Sequence, residues 1–406
     1  MDLVVLAVFV LVYLGMILGR IPGLAMDRTG IALLGAIVLV GSGRVSPTEA
    51  WRAMDVPTMA LLLGLMVVSA QLRLGGFYSE VTRRVAATGT GPGGLLAAVI
   101  AVAGGLSALL ANDIVCLAMA PLLVVGCLRR GFSPQPHLLG LACGANIGSA
   151  ATLIGNPQNM LIGQRLELSF AGYLVHGVPP AVIGCALAWV LIALVYRGRW
   201  RCPPRDLTVD SPAFNSWQTG KGIALVVALV AVFLAAPVPR DVAALAAAGL
   251  LLTSRRMHSR DMLGHVDWQL LVLFAGLFVV HHGLESSGLA GDALAAAAAS
   301  GLDLAAPGWL FAAGVVLSNL VSNVPAVMLL LPAATGPTAG AVLALSSTLA
   351  GNLLLVGSIA NLIVVDQAAR LGVVIRWREH ARVGIPVTLA SLAVAAGWLV
   401  LVARLG

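Results

Sequence analysis

Charged residues are scarce in this chain, and lysine is nearly absent. Of its 406 residues, 10% are charged and 59% are hydrophobic, whereas soluble domains carry about 25% charged residues. The composition therefore indicates an integral membrane protein. The single lysine, Lys221, is followed by Gly222, whereas a P-loop requires Ser or Thr after its lysine. An ATP-driven pump is thus excluded within this chain.

Signatures of enzymes and cofactors are missing as well. No HExxH motif occurs, and no Ser–His or paired-Asp arrangement is visible among the apolar segments, so we do not expect an enzyme. The five cysteines show no CxxC spacing, which argues against a structural metal site. The net charge of +7 reflects arginines in loops, a feature of membrane topology rather than of nucleic-acid binding.

Apolar runs of about 18 to 25 residues recur along the chain, long enough to cross a bilayer as helices. We place five spans in each half of the sequence. The predicted spans are 2–19, 29–43, 56–72, 138–164 and 172–196, followed by 222–237, 241–254, 267–283, 342–369 and 384–403. The sequence therefore predicts an all-α polytopic membrane protein with about ten spans.

The two halves are copies of one membrane unit, offset by roughly 211 residues. LSALLANDIVCLAMAP matches LSNLVSNVPAVMLLLP, so that Asn112 and Pro121 align with Asn323 and Pro332. Each of these segments is interpreted as a re-entrant hairpin. Five crossings plus a hairpin make an odd number, so the second copy must enter the membrane inverted. The predicted units are a first repeat over 1–197 with hairpin one (92–130) and a broken helix (138–164), a linker over 198–221, and a second repeat over 222–406 with hairpin two (306–335) and a broken helix (342–369).

Basic residues test this topology independently. Of the 24 Lys and Arg residues, 19 fall on one side and five on the other, and loops rich in arginine stay in the cytoplasm. The five are Arg44, Arg52, Arg165, Arg240 and Arg404. The linker is then cytoplasmic, both termini face outward, and the expected location is the cell inner membrane. Hairpin one opens to the cytoplasm and hairpin two to the outside.

Each half also contains a break inside a span, GANIGSAATLIGNPQN in the first and GNLLLVGSIANLIV in the second. In the first, a glycine unwinds the chain, Asn156 can cap a new half-helix, and Pro157 fits its first turn. The second is expected to repeat this arrangement, with Asn361 as a cap. Irregular backbone at bilayer depth occurs only where it is buried in protein or lines a cavity. Its free N–H groups suit an anion or a polar oxygen ligand.

The candidate substrate and ion site combines the hairpin tips with these breaks. Its residues are Asn112, Asp113, Asn146, Ser149, Thr152, Gly155, Asn156, Asn159, Ser322, Asn323, Gly357, Ser358 and Asn361. No cofactor is expected, apart from Na⁺ as a coupling ion. Such an ion would be held by Asn112, Asn146 and Thr152 in one half and by Asn323, Ser358 and Asn361 in the other. The alternative is that these small polar residues only hold helices together.

Asp113 is the carboxylate at the tip of hairpin one, and an intramembrane carboxylate indicates a functional site. Its repeat counterpart is Val324, so a role in proton or cation coupling would belong to one half only. The alternative is that Asp113 is the N-cap of the returning helix. The roles of His281, His282 and Asp366 stay open.

At these residues the chain resembles the arsenite permease/NhaD-type ion transporter superfamily, which includes the divalent-anion:sodium symporters. The likeness covers nearly the whole chain and rests on ANDIVCLAMAPLL, ATLIGNPQNMLIG, SNVPAVMLLLP and GSIANLIV. IGNPQN followed by LSFAGY is similar to a poorly characterised permease branch. The Asn-Asp tip is similar to arsenite permeases, whereas the dicarboxylate symporters carry Ser-Asn-Thr at both tips. The resemblance implies sites between hairpin tips and broken helices, and elevator-type movement of that core against a scaffold.

We therefore predict a secondary active transporter of a small inorganic or organic anion or an arsenite-like oxyacid, coupled to H⁺ or Na⁺. A Na⁺/H⁺ antiporter of the same superfamily and a passive anion channel are the alternatives. Hairpins opening to opposite sides suit alternating access better than a pore. Symport and antiport stay open. The partners considered are the bilayer, the substrate, a second copy of the chain and a cytoplasmic ATPase subunit, but no nucleic acid.

Single cysteines placed in the 197–221 linker are expected to react with an impermeant thiol reagent only from the cytoplasm, because the basic loops stay inside. Cysteines in 286–304 should react only from outside. Labelling of intact and of opened cells checks both expectations. Outside labelling of the linker would contradict the inverted topology.

Overall fold

The computed structural model describes residues 2–19 and 25–405. Within them the chain forms α-helices, two short 3-10 helices (Leu331–Ala333 and Leu355–Gly357) and no β-strand. The first half contains α1 (Leu3–Leu18), α2 (Arg28–Gly41), α3 (Pro47–Ala53), α4 (Val56–Leu74), α5 (Phe77–Ala87), α6 (Pro92–Leu109), α7 (Asn112–Arg129), α8 (Pro134–Ser149), α9 (Pro157–Arg165) and α10 (Phe170–Val195). The second contains α11 (Ser216–Ala235), α12 (Arg240–Leu252), α13 (Ser259–Leu263), α14 (Trp268–Ser286), α15 (Leu289–Ala299), α16 (Pro307–Val321), α17 (Asn323–Leu330), α18 (Ala339–Ala350), α19 (Ile359–Arg370) and α20 (Trp377–Leu405).

The prediction of an all-α polytopic membrane protein is confirmed. In the described residues, seven helices are long and apolar enough to cross a membrane, namely α4, α6, α7, α10, α11, α14 and α20. Two of these are the arms of hairpin one. Each predicted broken span is divided into two helices that are too short to cross alone. Three residues of the predicted repeats, Met1, Arg20 and Gly406, lie outside the described residues. Arg20 was also counted among the basic loop residues.

Helix starts agree closely between the halves because the same capping chemistry recurs. Asp55 caps α4 and Asp267 caps α14, each accepting a hydrogen bond from the amide three residues later, at 2.8 and 2.9 Å. Gly76 and Gly288 precede α5 and α15 with φ of +72° and +77°, a conformation that favours glycine.

Two helices start six or seven residues ahead of their predicted spans. α20 begins at Trp377, whereas its predicted span is 384–403. α11 begins at Ser216, inside the predicted linker and ahead of the predicted span 222–237. Asn215 provides its N-cap by accepting a hydrogen bond from the Gln218 amide at 3.1 Å. The first turn is polar, so hydropathy alone does not reveal it. Gln71 of α4 stabilises that turn by donating to the side-chain oxygen of Gln218 at 2.9 Å.

The helices of the two halves pack reciprocally. α4 packs against α12, and its counterpart α14 packs against α2. At both crossings a glycine allows close approach. A Cβ at Gly64 would lie 2.6 Å from the carbonyl carbon of Ala244, and one at Gly276 would lie 2.7 Å from that of Ala32. Such exchange of matched contacts is the pattern of an approximate two-fold axis. The orientation of each half in the membrane stays a prediction.

We call α6–α9 and α16–α19 the core, and α1, α2, α4, α11, α12 and α14 the scaffold. In the core, α6 packs on α8 and α16 packs on α18, while α19 lies against α7 and α8. α10 and α20 pack on each other and on the core. The α8 helix and the segment that follows it are buried almost throughout. The first break therefore lies inside protein, as irregular backbone at membrane depth requires. The second break is buried at its two ends, but Leu354 and Val356 between them are exposed.

Gly64→Val is expected to destabilise the fold by about 1–3 kcal/mol, because the added side chain would be forced into the backbone of Ala244. The Tm of the purified protein in detergent measures this loss. Gly249→Val is the control, since a Cβ at this position of α12 meets nothing within 4 Å. An equal fall in Tm for both variants would show that close packing is not the cause.

Candidate functional site

The first broken helix loses its helical structure over 150–156, between α8 and α9. Asn156 caps α9, because its Oδ1 accepts a hydrogen bond from the Asn159 amide at 2.9 Å, and a proline follows at the first helical position. Gly155 permits a close approach to α6, since a Cβ here would lie 2.6 Å from the Ser107 carbonyl oxygen. The break is therefore packed directly against an arm of hairpin one.

The second break covers 351–358 and includes a short 3-10 helix that ends at Gly357. Ser358 caps α19 by accepting a hydrogen bond from the amide two residues later at 3.2 Å. Asn361 lies inside α19, and its Nδ2 donates to the carbonyl of Gly351 at 2.8 Å. The prediction that Asn361 is a cap is therefore wrong, because the helix starts earlier and its cap position belongs to Ser358.

The two breaks use the same device to satisfy carbonyls that unwinding frees. Asn159 donates its Nδ2 to the carbonyl of Thr152 at 2.9 Å. Asn361 donates its Nδ2 to the carbonyl of Leu354 at 3.3 Å, and both members of this pair lie 202 residues further along the chain. Buried carbonyls need such partners, because an unpaired one costs free energy. The irregular backbone of each break is thereby held in one conformation.

Asn146 of α8 is the centre of a buried hydrogen-bond network. Its Oδ1 accepts from the hydroxyl of Ser358 at 2.9 Å and from Nδ2 of Asn112 at 3.1 Å. Its Nδ2 donates to Oδ1 of Asn352 at 2.8 Å and of Asn361 at 3.1 Å. One amide therefore joins the tip of hairpin one to both sides of the second break.

Thr348 of α18 occupies the matching position in the other half. Its hydroxyl donates to Oδ1 of Asn159 at 3.1 Å and accepts from Nδ2 of Asn156 at 3.3 Å. Gln158 also donates to this hydroxyl, at 3.2 Å. Asn146 and Thr348 each lie ten residues before the cap of their own broken helix. The halves thus exchange matched hydrogen bonds across the approximate two-fold axis.

Sequence reasoning missed four residues of the network: Thr348, Asn352, Gln158 and Tyr173, whose hydroxyl accepts from Nδ2 of Asn159 at 3.3 Å. It also missed Asn319, which lies outside the network. The ten-residue spacing to the cap could have revealed Thr348, since Asn146 was already a candidate. Asn352 and Gln158 carry no such signal, because their partners come from the other half of the chain. Asn319 of α16 donates to a carbonyl at the end of α18 at 3.2 Å.

Three buried amide oxygens near the hairpins have no hydrogen-bond partner in the part of the chain that the structure describes. They are Oδ1 of Asn112, Asn319 and Asn323. An unpaired buried acceptor costs about 1–3 kcal/mol, and oxygen is the ligand that hard cations prefer. Asn112 and Asn323 are repeat counterparts at the two tips. Unpaired amide oxygens are thus present at both tips.

Four predicted site residues do not join the network through their side chains: Asp113, Thr152, Ser322 and Asn323. The Thr152 hydroxyl donates to the carbonyl of Ala108 at 2.5 Å instead. Asp113 lies in the first turn of α7, whose N-cap is Ala111, so the alternative that Asp113 is the cap is wrong. The Asp113 carboxyl group has no hydrogen bond or ion pair within the described residues, and it lies at the positive end of the α7 dipole.

The tip of hairpin two is strained. Ser322 adopts φ +80° and ψ 159°, a region that glycine occupies readily and other residues avoid. Such a conformation costs about 1–3 kcal/mol and persists only where the surroundings enforce it. The matching residue of hairpin one, Ala111, has an ordinary φ of −55°. The two tips therefore share a position but not a backbone conformation.

The other titratable residues of interest lie outside the network. Asp366 pairs with Arg370 at 2.9 Å, and both side chains are more than half exposed. His281 lies 3.2 Å from Glu285 on the same helix. These two and His282 line a cavity of about 290 Å³ at the end of α14.

A sequence profile described as citrate transporter matches residues 9–349. The chain belongs to the citrate transporter family. Family membership places it among multi-pass membrane transporters rather than enzymes, and it agrees with the helical architecture described above.

Individual relatives extend over nearly the whole chain. An uncharacterized transporter of Mycobacterium tuberculosis is 29% identical over 428 residues, covering 98% of each protein. The silicon efflux transporter LSI3 of Oryza sativa subsp. japonica is 28% identical, covering 92% of each. The arsenical pump membrane protein of Escherichia coli is 26% identical over 89% of this chain and 90% of that protein. The resemblance to the arsenite permease superfamily is thereby confirmed.

A solved structure shares the fold of this citrate transporter family member. The YdaH transporter of Alcanivorax borkumensis superposes with a TM-score of 0.57 at 16% identity, covering 98% of this chain and 95% of that one. At this identity the likeness concerns the fold alone.

Proposed function

We propose that the protein is a secondary active transporter of a small anion or an arsenite-like oxyacid, coupled to H⁺ or Na⁺. The observation that carries this proposal is the reciprocal set of hydrogen bonds through which Asn146 and Thr348 join the two broken helices. Matched half-sites at helix breaks near the repeat interface are the arrangement expected of a carrier with alternating access. Elevator-type movement of the core against the scaffold is part of the proposal.

The chemistry of the network favours a hydroxylated substrate. Its side chains are amides and hydroxyls, without Arg or Lys, so they offer both donors and acceptors but no cationic partner. A polyanion such as citrate would rely on the N-termini of α9 and α19 alone for positive charge. A small oxyacid matches such a site better, and two relatives are named for arsenical and silicon transport.

The coupling ion is proposed to bind at the hairpin tips. Two oxygen ligands without partners, on Asn112 and Asn323, support Na⁺ there. The carboxylate of Asp113 supports H⁺ as the alternative or as a second ion, since it lies beside the first of these ligands. We further propose the cell inner membrane as the location, with both termini facing outward.

Asn156→Ala and Asn361→Ala are each expected to abolish transport while the protein still folds. Each change removes side-chain hydrogen bonds that fix the irregular backbone of a break. A thermal-shift screen against Na⁺, arsenite, sulfate, phosphate and dicarboxylates first identifies the substrate, and flux into proteoliposomes is then measured. Asn215→Ala is the matched control, since it removes the N-cap of α11 outside the network. Loss of a cap costs about 1 kcal/mol. Transport at the parental rate in both site variants would show that the breaks are structural only.

Asp113→Asn is expected to retain substrate binding but to lose accumulation driven by an ion gradient, together with its pH dependence. Asparagine has nearly the same shape as aspartate but lacks the carboxyl group that would carry the proton or help to bind the cation. Binding is followed by thermal shift and accumulation by flux under imposed H⁺ and Na⁺ gradients. An unchanged pH profile with full accumulation would leave coupling to Na⁺ on the amide and hydroxyl oxygens.

A further inference from the structure

The two halves differ in how their broken helices contact the scaffold. α9 packs against α4, whereas no comparable packing joins its counterpart α19 to α14. Two arginines hold α9 in place. Arg165, at the end of α9, pairs its Nε with Oδ2 of Asp55 at 2.5 Å. Arg240, at the start of α12, donates its Nη2 to the carbonyl of Gly163 at 2.6 Å.

The hydrogen bond from Arg240 has a potential counterpart in the second half. Arg28 is the first residue of α2, as Arg240 is of α12, and Val365 matches Gly163 in its distance from the helix cap. In this structure Arg28 donates its Nε to the carbonyl of Met16 at 3.1 Å instead. Donor and acceptor are thus both present in the second half, but they are not joined.

The ion pair, by contrast, has no counterpart of equal charge. Asp267 caps α14 with the same geometry with which Asp55 caps α4. Counted from the helix cap, the position in α19 that matches Arg165 is Gln367. Arg370, the last residue of the longer α19, pairs with Asp366 of the same helix instead. A hydrogen bond between Gln367 and Asp267 is feasible, whereas an ion pair is not. One of the two docking contacts is therefore stronger in the first half.

We propose that this structure is one end of the transport cycle, and that at the other end α19 docks on α14. In that state Arg28 donates to the carbonyl of Val365. Gln367 then donates to Asp267. The inference rests on the proposed alternating access, because in an inverted-repeat carrier the end states exchange the conformations of the two halves.

The single ion pair biases the carrier toward the conformation seen here. The side chain of Asp55 is 9% exposed and that of Arg165 is 47% exposed, so the pair is partly screened by solvent. Pairs of this kind shift an equilibrium by about two- to fivefold. When no ligand is bound, the carrier therefore spends more time in the conformation seen here, and its site faces one side of the membrane more often than the other.

Crosslinking in the full chain, with its five native cysteines replaced, tests the proposal. Arg28→Cys with Val365→Cys reports the second state, and Arg240→Cys with Gly163→Cys reports the state seen here, where a Cβ at position 163 would lie 3.3 Å from the Arg240 guanidinium. A short bifunctional thiol reagent is applied to proteoliposomes. We expect both pairs to crosslink.

Removing the charge of Asp55 tests whether the ion pair favours the conformation seen here, independently of whether α19 can dock on α14. Asp55→Asn retains an N-cap for α4 but loses the ion pair, so the Arg28–Val365 crosslink should form about two- to fivefold faster. Asp267→Asn is the matched comparison, since Asp267 caps α14 and has no ion pair in the described residues. Because this change weakens the acceptor of the proposed hydrogen bond from Gln367, it should not speed the crosslink.

Flux through each cysteine variant is measured in the same vesicles. A variant that transports but never forms the Arg28–Val365 crosslink overturns the second docked state. Equal crosslinking rates in Asp55→Asn and Asp267→Asn overturn the bias. Crosslinking as expected without saturable, gradient-driven flux supports the two conformations but contradicts the proposed carrier function.

Discussion

Unwinding a helix inside a membrane protein frees backbone amides and carbonyls that no solvent can satisfy, and the structure depends on how these groups are paired. Here the caps Asn156 and Ser358 take the amides, while Asn159 and Asn361 take the carbonyls. The same side chains form the candidate site. A single set of hydrogen bonds therefore stabilises the fold and holds the polar groups in place before a ligand arrives.

The core and its contact with the scaffold are built differently. Inside the core, Asn146 and Thr348 connect the halves, so that one break cannot rearrange without disturbing the other. Against the scaffold, α9 is held by one ion pair and one arginine hydrogen bond. The proposed movement of the core as one body would have to break these two polar contacts.

Approximate two-fold symmetry of the backbone does not extend to the chemistry of the tips. Hairpin one presents an amide and a carboxylate, Asn112 and Asp113. Hairpin two presents Asn323 after a serine in a strained conformation. Both tips keep an unpaired amide oxygen, whereas only the first carries a charge. The amide oxygens at both tips suit the proposed binding of a cation in each half. The carboxyl group of Asp113 suits a coupling role that belongs to the first half alone.

Local chemistry explains what the sequence by itself determined. The helix pairs α6–α7 and α16–α17, the breaks and the cap at Asn156 were predictable because glycine, proline and asparagine act on the backbone within one helical turn. The assignment of Asn361 failed because a cap depends on where the helix starts, and two polar residues three positions apart, Ser358 and Asn361, can compete for that position. The partners of Asn146 were decided only by the tertiary structure. Asn352 lies 206 positions away along the chain, and a contact at that distance exists only because packing of the two halves brings their breaks together.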